Sequence, residues 1–214
     1  MTQKEKILVV EARKRALEIL HHCVTPFGFR ASADPAGYPQ IWGRDSSVTL
    51  LGALASGDAD LINAGKTSLE TIGDAQSCWG LMPLNLNPES GMISTENAGA
   101  SDVNLWYILG QFALYRQSSD KQALIRNWPR ITSALTWLQY QDMNECGLLE
   151  IPEAGNWMDL IAVRYNTLYD NVLYYAATLA YEEMKQVIPE HDFDTPCHTS
   201  AASIHERLNL LSWI

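Results

Sequence analysis

A chain of 214 residues with 47% hydrophobic residues is long enough and apolar enough to bury one sizeable core, which argues against a disordered protein. Its formal charge of −10 argues against a nucleic-acid or anionic-membrane surface, because both polyanions repel an acidic protein. We therefore expect a neutral or small partner, with no nucleic acid and no membrane among its partners.

The N-terminal segment carries charged side chains throughout and lacks the uninterrupted apolar stretch of a signal peptide. No segment reaches the roughly 18 consecutive apolar residues of a membrane-spanning helix. The four cysteines form no Cys-x-x-Cys pair, which argues against a zinc ribbon or a compact disulfide framework. They are Cys23, Cys78, Cys146 and Cys197. We expect a cytoplasmic protein with free thiols.

Helical periodicity dominates the sequence, and strand-like alternation is weak throughout. Pro129 is placed to begin a helix, because proline is favoured in the first helical turn. Apolar stripes consist of Ile7, Val10, Leu17 and Leu20 in the first helix and of Leu168, Val172, Tyr175 and Leu179 in the sixth. The predicted helices cover about residues 4–22, 45–55, 59–74, 101–118, a segment from 129 onward, 165–187 and a last segment from 196 to the chain end.

The connections between these helices alternate between long and short. Long irregular loops span about residues 25–43, 77–100 and 142–163, and short turns join the other pairs, the last pair included. Stacked helical hairpins produce this alternation when the short turns lie at one end and functional loops at the other. The sequence therefore predicts an all-α toroid of inner and outer helices, of which about three and a half hairpins are present.

The chain ends in the apolar stretch LNLLSWI, residues 208–214, with neither a cap nor a polar tail. Such an end leaves an apolar face in need of a partner. We therefore expect residues 1–214 to be a single, incomplete domain.

The first long loop ends in residues that suit a sugar. Gly43 allows close approach of the backbone, Arg44 and Asp45 offer fixed donors and acceptors for hydroxyl groups, and Trp42 offers a flat apolar face. The alternative is that Asp45 only caps the following helix while Arg44 forms a surface ion pair.

The second loop leads into Ser101 and Asp102, either of which could cap the next helix. Asp102 and Trp106 are four residues apart and therefore share one helix face.

The third loop contains Trp157, Met158 and Asp159 and precedes a helix with Tyr169 and Asn171. Apolar neighbours favour the protonated form of a carboxyl group, which is the form that can donate a proton to a departing glycosidic oxygen. The alternative is that Asp159 is an ordinary turn residue.

Three segments, in order, carry a family resemblance: YPQIWGRDSSVTLLGAL, SDVNLWYILGQFALY and NWMDLIAVRYNTLYDNVLYYAATLA. Together they resemble the six-hairpin glycosidases over roughly residues 38–180. Within that superfamily they look most like the amylo-α-1,6-glucosidase domain of glycogen-debranching enzymes, and alkaline/neutral invertases are similar but more distant. The resemblance implies an (α/α)6 barrel with its active site in the loop-lined mouth, of which this chain is about the first half.

The resemblance also assigns roles to residues. It implies that Asp159 is the general acid of an acid/base, usually inverting, hydrolysis of α-glucosidic bonds in glycogen- or dextrin-like oligosaccharides. The substrate-binding residues that we expect are Trp42, Arg44, Asp45, Asp102, Trp106, Trp157 and Asn171. Tyr169 is a departure, because the family has a glutamate there, although Asp170 keeps a carboxylate nearby.

The family's catalytic base lies in hairpins beyond residue 214, so this chain is expected to be inactive alone. Alternatives that the sequence leaves open are an invertase- or trehalase-like hydrolase of a disaccharide and a non-catalytic carbohydrate-binding helical module. No cofactor is expected. No metal is expected either, because the histidines lie outside the three loops and lack His-Glu-x-x-His spacing. They are His21, His22, His191, His198 and His205.

Overall fold

The computed structural model of the protein describes residues 1–34, 37–95, 100–188 and 199–211. Within these ranges the chain forms seven helices, which confirms the predicted all-α class. They are α1 (Gln3–Cys23), α2 (Gly43–Ser56), α3 (Ala59–Asp74), α4 (Asp102–Ser118), α5 (Lys121–Gln139), α6 (Leu168–Lys185) and α7 (Ala201–Leu211). None of the described helices combines the length and the apolar content needed to cross a bilayer.

Polar caps create two of the three short turns that the sequence predicts. Gly57 ends α2 in a left-handed conformation, and Asp58 accepts hydrogen bonds from two backbone N–H groups in the first turn of α3. Asp120 caps α5 in the same way, by accepting from the N–H of Ala123 at 2.9 Å. Both turns join a helix to its antiparallel neighbour.

The predicted start of α5 is wrong. The helix begins at Lys121, directly after the Asp120 cap, and Pro129 lies inside it. A proline within a helix removes one backbone hydrogen bond and disfavours the helix, but the cap and the buried side chains on both sides of Pro129 outweigh that cost here. The preference of proline for the first helical turn therefore misled the prediction.

Helices α2, α4 and α6 pack side by side and form what we call the α2–α4–α6 layer. Helices α3, α5 and α7 each pack against the helix that precedes them in the chain. Three consecutive helical hairpins thus stand next to one another, with the main apolar core between their helices. Trp128 of α5 stacks on Tyr181 of α6, with ring centroids 4.8 Å apart, and ties two hairpins together.

Most of the apolar stripe predicted for α6 is exposed and not buried. Leu168, Val172 and Leu179 are exposed, whereas Tyr174 and Tyr181 are buried. Helix α6 has apolar residues on more than one side, so periodicity alone does not show which side meets α4. In α1, Leu17 and Leu20 pack against a small cluster around Phe29, but Ile7 and Val10 are exposed.

Short strands, which the sequence did not predict, lie in the first two long loops. They are β1 (Val24–Thr25), β2 (Gly28–Phe29), β3 (Ile41–Trp42), β4 (Asn85–Leu86) and β5 (Ile93–Ser94). Strands β1 and β2 form an antiparallel pair, and β3, β4 and β5 form an antiparallel sheet in that order. Strand β3 of this sheet directly precedes α2 in the chain and contains Trp42, one of the first candidate sugar-binding residues.

The connection between α6 and α7 is longer than the predicted short turn, because α6 ends at Lys185 and α7 begins at Ala201. The predicted start of the last helix at Pro196 lies outside the described residues, as do residues 212–214. Cys197, His191 and His198 also lie outside the described residues.

Candidate functional site

The first turns of α2, α4 and α6 meet at one place and each contributes a polar side chain to it: Arg44, Asp102 and Tyr169. Gly43 makes the approach of α2 and α4 possible. A Cβ atom on Gly43 would lie 2.4 Å from Cγ1 of Val103, closer than real Cβ atoms approach, and 3.1 Å from the Pro83 carbonyl oxygen, a tight contact. Glycine before Arg44 therefore suits this arrangement.

Asp102 is the centre of the group that we call the Arg44 cluster, which consists of Arg44, Asp102, Trp106 and Tyr169. Nη1 of Arg44 lies 3.1 Å from Oδ1 and 2.9 Å from Oδ2 of Asp102. The Tyr169 hydroxyl donates to Oδ2 of Asp102 at 3.1 Å and accepts from Nε1 of Trp106 at 3.0 Å. Asp102 and Trp106 thus share the helix face that their spacing predicts.

Trp157 joins the cluster through its backbone and its ring. Its backbone N–H donates to the carboxylate of Asp102. Its ring lies edge-on to the Tyr169 ring, with centroids 6.2 Å apart and planes at 72°, and 52% of the residue is exposed. The cluster therefore has one exposed aromatic wall.

Burial determines which members of the cluster can touch a ligand. Asp102 is fully buried, and burial raises the pKa of its carboxyl group, while the neighbouring Arg44 guanidinium acts in the opposite direction. Arg44 and Tyr169 are only partly buried, and Arg44 uses a single nitrogen, Nη1, on Asp102. We therefore assign Asp102 to the positioning of these two side chains, which are partly exposed.

Tyr169 is held in its protonated form. Burial raises the pKa of its hydroxyl, and the nearby charge of Asp102 raises it further, against the hydrogen bond from Trp106. A phenol that stays protonated offers a fixed donor and acceptor. Fixed neutral groups of this kind are well suited to hydroxyl-rich ligands.

A second buried carboxyl group, Asp170, supports the loop behind the cluster. Its Oδ2 accepts from Nδ2 of Asn156 at 2.7 Å and from the Thr167 hydroxyl, and its Oδ1 is buried with no hydrogen-bond partner among the described residues. The side-chain carbonyl of Asn156 in turn accepts from the N–H of Met158 at 2.8 Å. Asp170 therefore holds the loop that carries Trp157.

Burial raises the pKa of Asp170 from 3.8 to about 6, with a further contribution from Asp102, against hydrogen bonds from Thr167 and Asn156. A carboxyl group whose pKa is raised in the folded state stabilises the protein below its unfolded pKa, and this stabilisation is lost as the pH rises through about 6.

Asp170→Asn imitates the protonated acid. The difference in unfolding free energy between this variant and the wild type should therefore increase in favour of the variant by about 2 kcal/mol as the pH rises from about 4.5 to about 8. Urea unfolding of both proteins across that range measures the difference. Parallel pH profiles would contradict the raised pKa.

The remaining predicted residues lie in other surroundings. Asp159 is exposed in a turn that the Ile161 N–H closes by donating to the Met158 carbonyl at 2.9 Å. Asp45 is also exposed and lines a different cavity, next to the end of α1. Asp45 lies in the first turn of α2, where a carboxylate suits the helix dipole, but Trp42 is the N-cap residue and no side chain caps the helix, so the alternative that Asp45 caps α2 is wrong.

Asn171 is buried, and its amide is engaged with the backbone. Its Oδ1 accepts from the Leu149 N–H at 2.7 Å, and its Nδ2 donates to the carbonyls of Leu149 and Thr167. We therefore correct its predicted role as a sugar contact: the side chain fixes the third long loop against α6. Trp42 lies at the edge of the three-stranded sheet, in a groove described below.

Tyr169, Asn156 and Asp170 are absent from the set of predicted site residues. A signal for Tyr169 existed, because Arg44 and Asp102 also lie in the first turn of the helix after a long loop. The functions of Asn156 and Asp170 depend on a contact across the loop that spacing does not reveal.

No known protein family matches this chain, and a comparison with curated proteins finds no similar protein. Three cysteines, Cys23, Cys78 and Cys146, have free thiols. The described residues contain no group of three or more His, Cys, Asp or Glu side chains that could hold a metal ion.

Proposed function

We propose that this chain is part of a glycoside hydrolase that acts on α-glucosidic bonds of glycogen- or dextrin-like oligosaccharides. The observation that carries the proposal is the Arg44 cluster, in which three helix N-termini bring a guanidinium, a protonated phenol and the Trp106 indole together, with Trp157 of the third long loop beside them. Neutral sugars need directional donors and acceptors for their hydroxyls and flat apolar faces for their C–H groups.

In the proposed complex the guanidinium of Arg44 donates to adjacent hydroxyls of the sugar at the cleavage site. Trp157, which is half exposed, lies against the apolar face of the sugar ring. The buried carboxylate of Asp102 keeps both Arg44 and Tyr169 in place. Binding energy from these contacts orients the glycosidic bond for reaction.

The proposed chemistry uses two carboxyl groups. Asp159, protonated, donates its proton to the departing glycosidic oxygen, while a general base takes a proton from a water that attacks the anomeric carbon. The C–O bond breaks, the water oxygen forms the new bond, and the configuration at the anomeric carbon inverts. The base is expected about 6.5–9.5 Å from the acid and is not assigned to any residue of this chain.

We also propose that the domain is an (α/α)6 barrel and that residues 1–214 form its first hairpins. The side-by-side packing of α2, α4 and α6 supports this proposal. The exposed apolar residues on α6 support it too, because a further helix of the same barrel would cover them. A cytoplasmic location, which we also propose, is supported by the free thiols.

A carbohydrate-binding module without catalysis is the second candidate. The exposure of Asp159 in a turn favours it, since a proton donor usually needs less hydrated surroundings. Both candidates predict that this chain binds a glucan at the Arg44 cluster.

Titration of the ¹⁵N-labelled chain with maltohexaose tests that shared prediction. We expect the indole N–H signals of Trp106 and Trp157 to shift in a saturable way, because both rings belong to the proposed binding surface. Unchanged signals up to about 10 mM sugar, a concentration at which even weak sites of millimolar Kd are occupied, would remove the cluster from the proposal.

A further inference from the structure

The three-stranded sheet has two different faces. Ile41 and Leu86, which are paired across β3 and β4, are buried in the main core. The next residues along the strands point to the opposite face, because side chains alternate in a strand. On that face Trp42, Asn85 and Ser94 are aligned across the three strands.

More polar side chains lie on the same face of the sheet, beside Trp42, Asn85 and Ser94. The N–H of Asn87 donates to the Met92 carbonyl at 2.9 Å, so the antiparallel pairing continues past β4 and β5. Gln40 precedes Trp42 by two residues and therefore lies on the same face as Trp42. The outer face of the sheet is thus a surface of amides, a hydroxyl, a thioether and an indole.

This face forms the floor of a groove with a volume of about 540 Å³. Tyr38 stands at its edge, and its ring meets that of Trp42 edge-on, with centroids 6.0 Å apart and planes at 78°. None of the described residues that line the groove is charged. Ionic ligands therefore find no counter-charge there.

We infer that the groove binds a segment of a neutral oligosaccharide. Amide side chains of Gln40, Asn85 and Asn87 can each donate and accept, which matches pairs of neighbouring hydroxyls. The rings of Tyr38 and Trp42 form an angled apolar wall for the C–H face of a sugar. The volume is sufficient for two or three sugar units, on the scale of ordinary ligand pockets.

The groove is continuous in sequence with the Arg44 cluster, because Trp42 is followed directly by Gly43 and Arg44. We therefore infer that an oligosaccharide bound in the groove extends toward the cluster. This link, and the choice of an α-glucan as ligand, rest on the proposed function.

The side-chain amide signals of Gln40, Asn85 and Asn87 report on the groove in the maltohexaose titration. We expect these signals to shift. We expect Tyr38→Ala to raise the Kd obtained from them about tenfold, which is the effect of losing one stacked ring. Tyr38 is largely exposed, so its replacement leaves the fold intact. Tyr140→Ala, at an exposed tyrosine outside the groove, is the matched control and should leave the Kd unchanged.

The outcomes separate the inference from the proposed function. Shifts of Trp106 and Trp157 with unmoved groove amides would overturn the inference and leave the proposed function standing. Shifts of the groove amides alone would support the inference and count against the cluster. The inference would be overturned if neither the groove amides nor the Trp106 and Trp157 indoles shift, or if Tyr38→Ala leaves the Kd unchanged.

Discussion

Replacing Asp159 by asparagine is expected to slow the hydrolysis of unactivated α-glucans by the complete protein by a factor of about 10²–10⁴, the contribution typical of a positioned proton donor. An amide cannot supply the proton that the departing glycosidic oxygen requires. The sugar contacts proposed for Arg44 and Trp157 remain, so KM should change little while kcat falls. Steady-state kinetics with maltohexaose measure both quantities.

The leaving group provides a sharper test of the same assignment. Fluoride departs with less help from a proton than an alcohol does, so Asp159→Asn should lose much less activity on α-glucosyl fluoride than on maltohexaose. Glu153→Gln is the matched control, because Glu153 is an exposed acid in the same loop, paired with Arg164 at 3.3 Å. Equal losses on both substrates, or an unchanged kcat on maltohexaose, would take Asp159 out of the acid role.

Replacing Asp102 by asparagine should lower the free energy of unfolding by about 3 kcal/mol, the scale of removing one partner from a buried, hydrogen-bonded ion pair. The amide no longer balances the charge of Arg44. Its NH2 group would also face other donors, since Arg44, Tyr169 and the Trp157 backbone all donate to this carboxylate. Chemical denaturation measures the loss.

The same variant should weaken maltohexaose binding by at least about tenfold, since Arg44 and Tyr169 lose the group that orients them. Titration at a temperature well below the unfolding transition separates this effect from stability. Asp60→Asn, at an exposed residue in the first turn of α3, is the control and should stay within about 0.5 kcal/mol and keep its affinity. If Asp102→Asn loses stability but binds normally, Asp102 has a structural role only.

Much of the fold could be predicted from the sequence because local signals and tertiary packing agree. Helices α2, α3 and α4 begin and end close to the predicted residues, with Gly57, Asp58 and Ser119 at the boundaries. Glycine and aspartate act there through the local backbone, so their effect is visible in the sequence. The start of α5 was missed because Pro129 is a stronger local signal than the short cap before it.

The face of α6 could not be predicted for a different reason. Asp170 and Asn171 are buried there, while Val172 and Leu179 are exposed. Buried polar residues with partners on other elements reverse the usual relation between polarity and exposure. Those partners, such as the Leu149 backbone for Asn171, come from distant parts of the chain.

The candidate site could also be predicted only in part from the sequence. Spacing correctly places Asp102 and Trp106 on one helix face, and loop position indicates that Arg44 lies nearby. It does not reveal that Asp102 is fully buried, nor that Tyr169 connects the two residues. These facts depend on how α2, α4 and α6 approach one another, which the sequence does not specify locally.

Proton NMR of the anomer first released from an α-limit dextrin by the complete protein tests the central claim most directly. The account predicts release of glucose with inverted configuration, as β-glucose from an α-linked substrate, before mutarotation mixes the two anomers. Release of α-glucose first would contradict the inverting mechanism. Absence of any glucose from every α-glucoside, while maltohexaose still shifts the Trp106 and Trp157 signals, would contradict the hydrolase and favour the binding module.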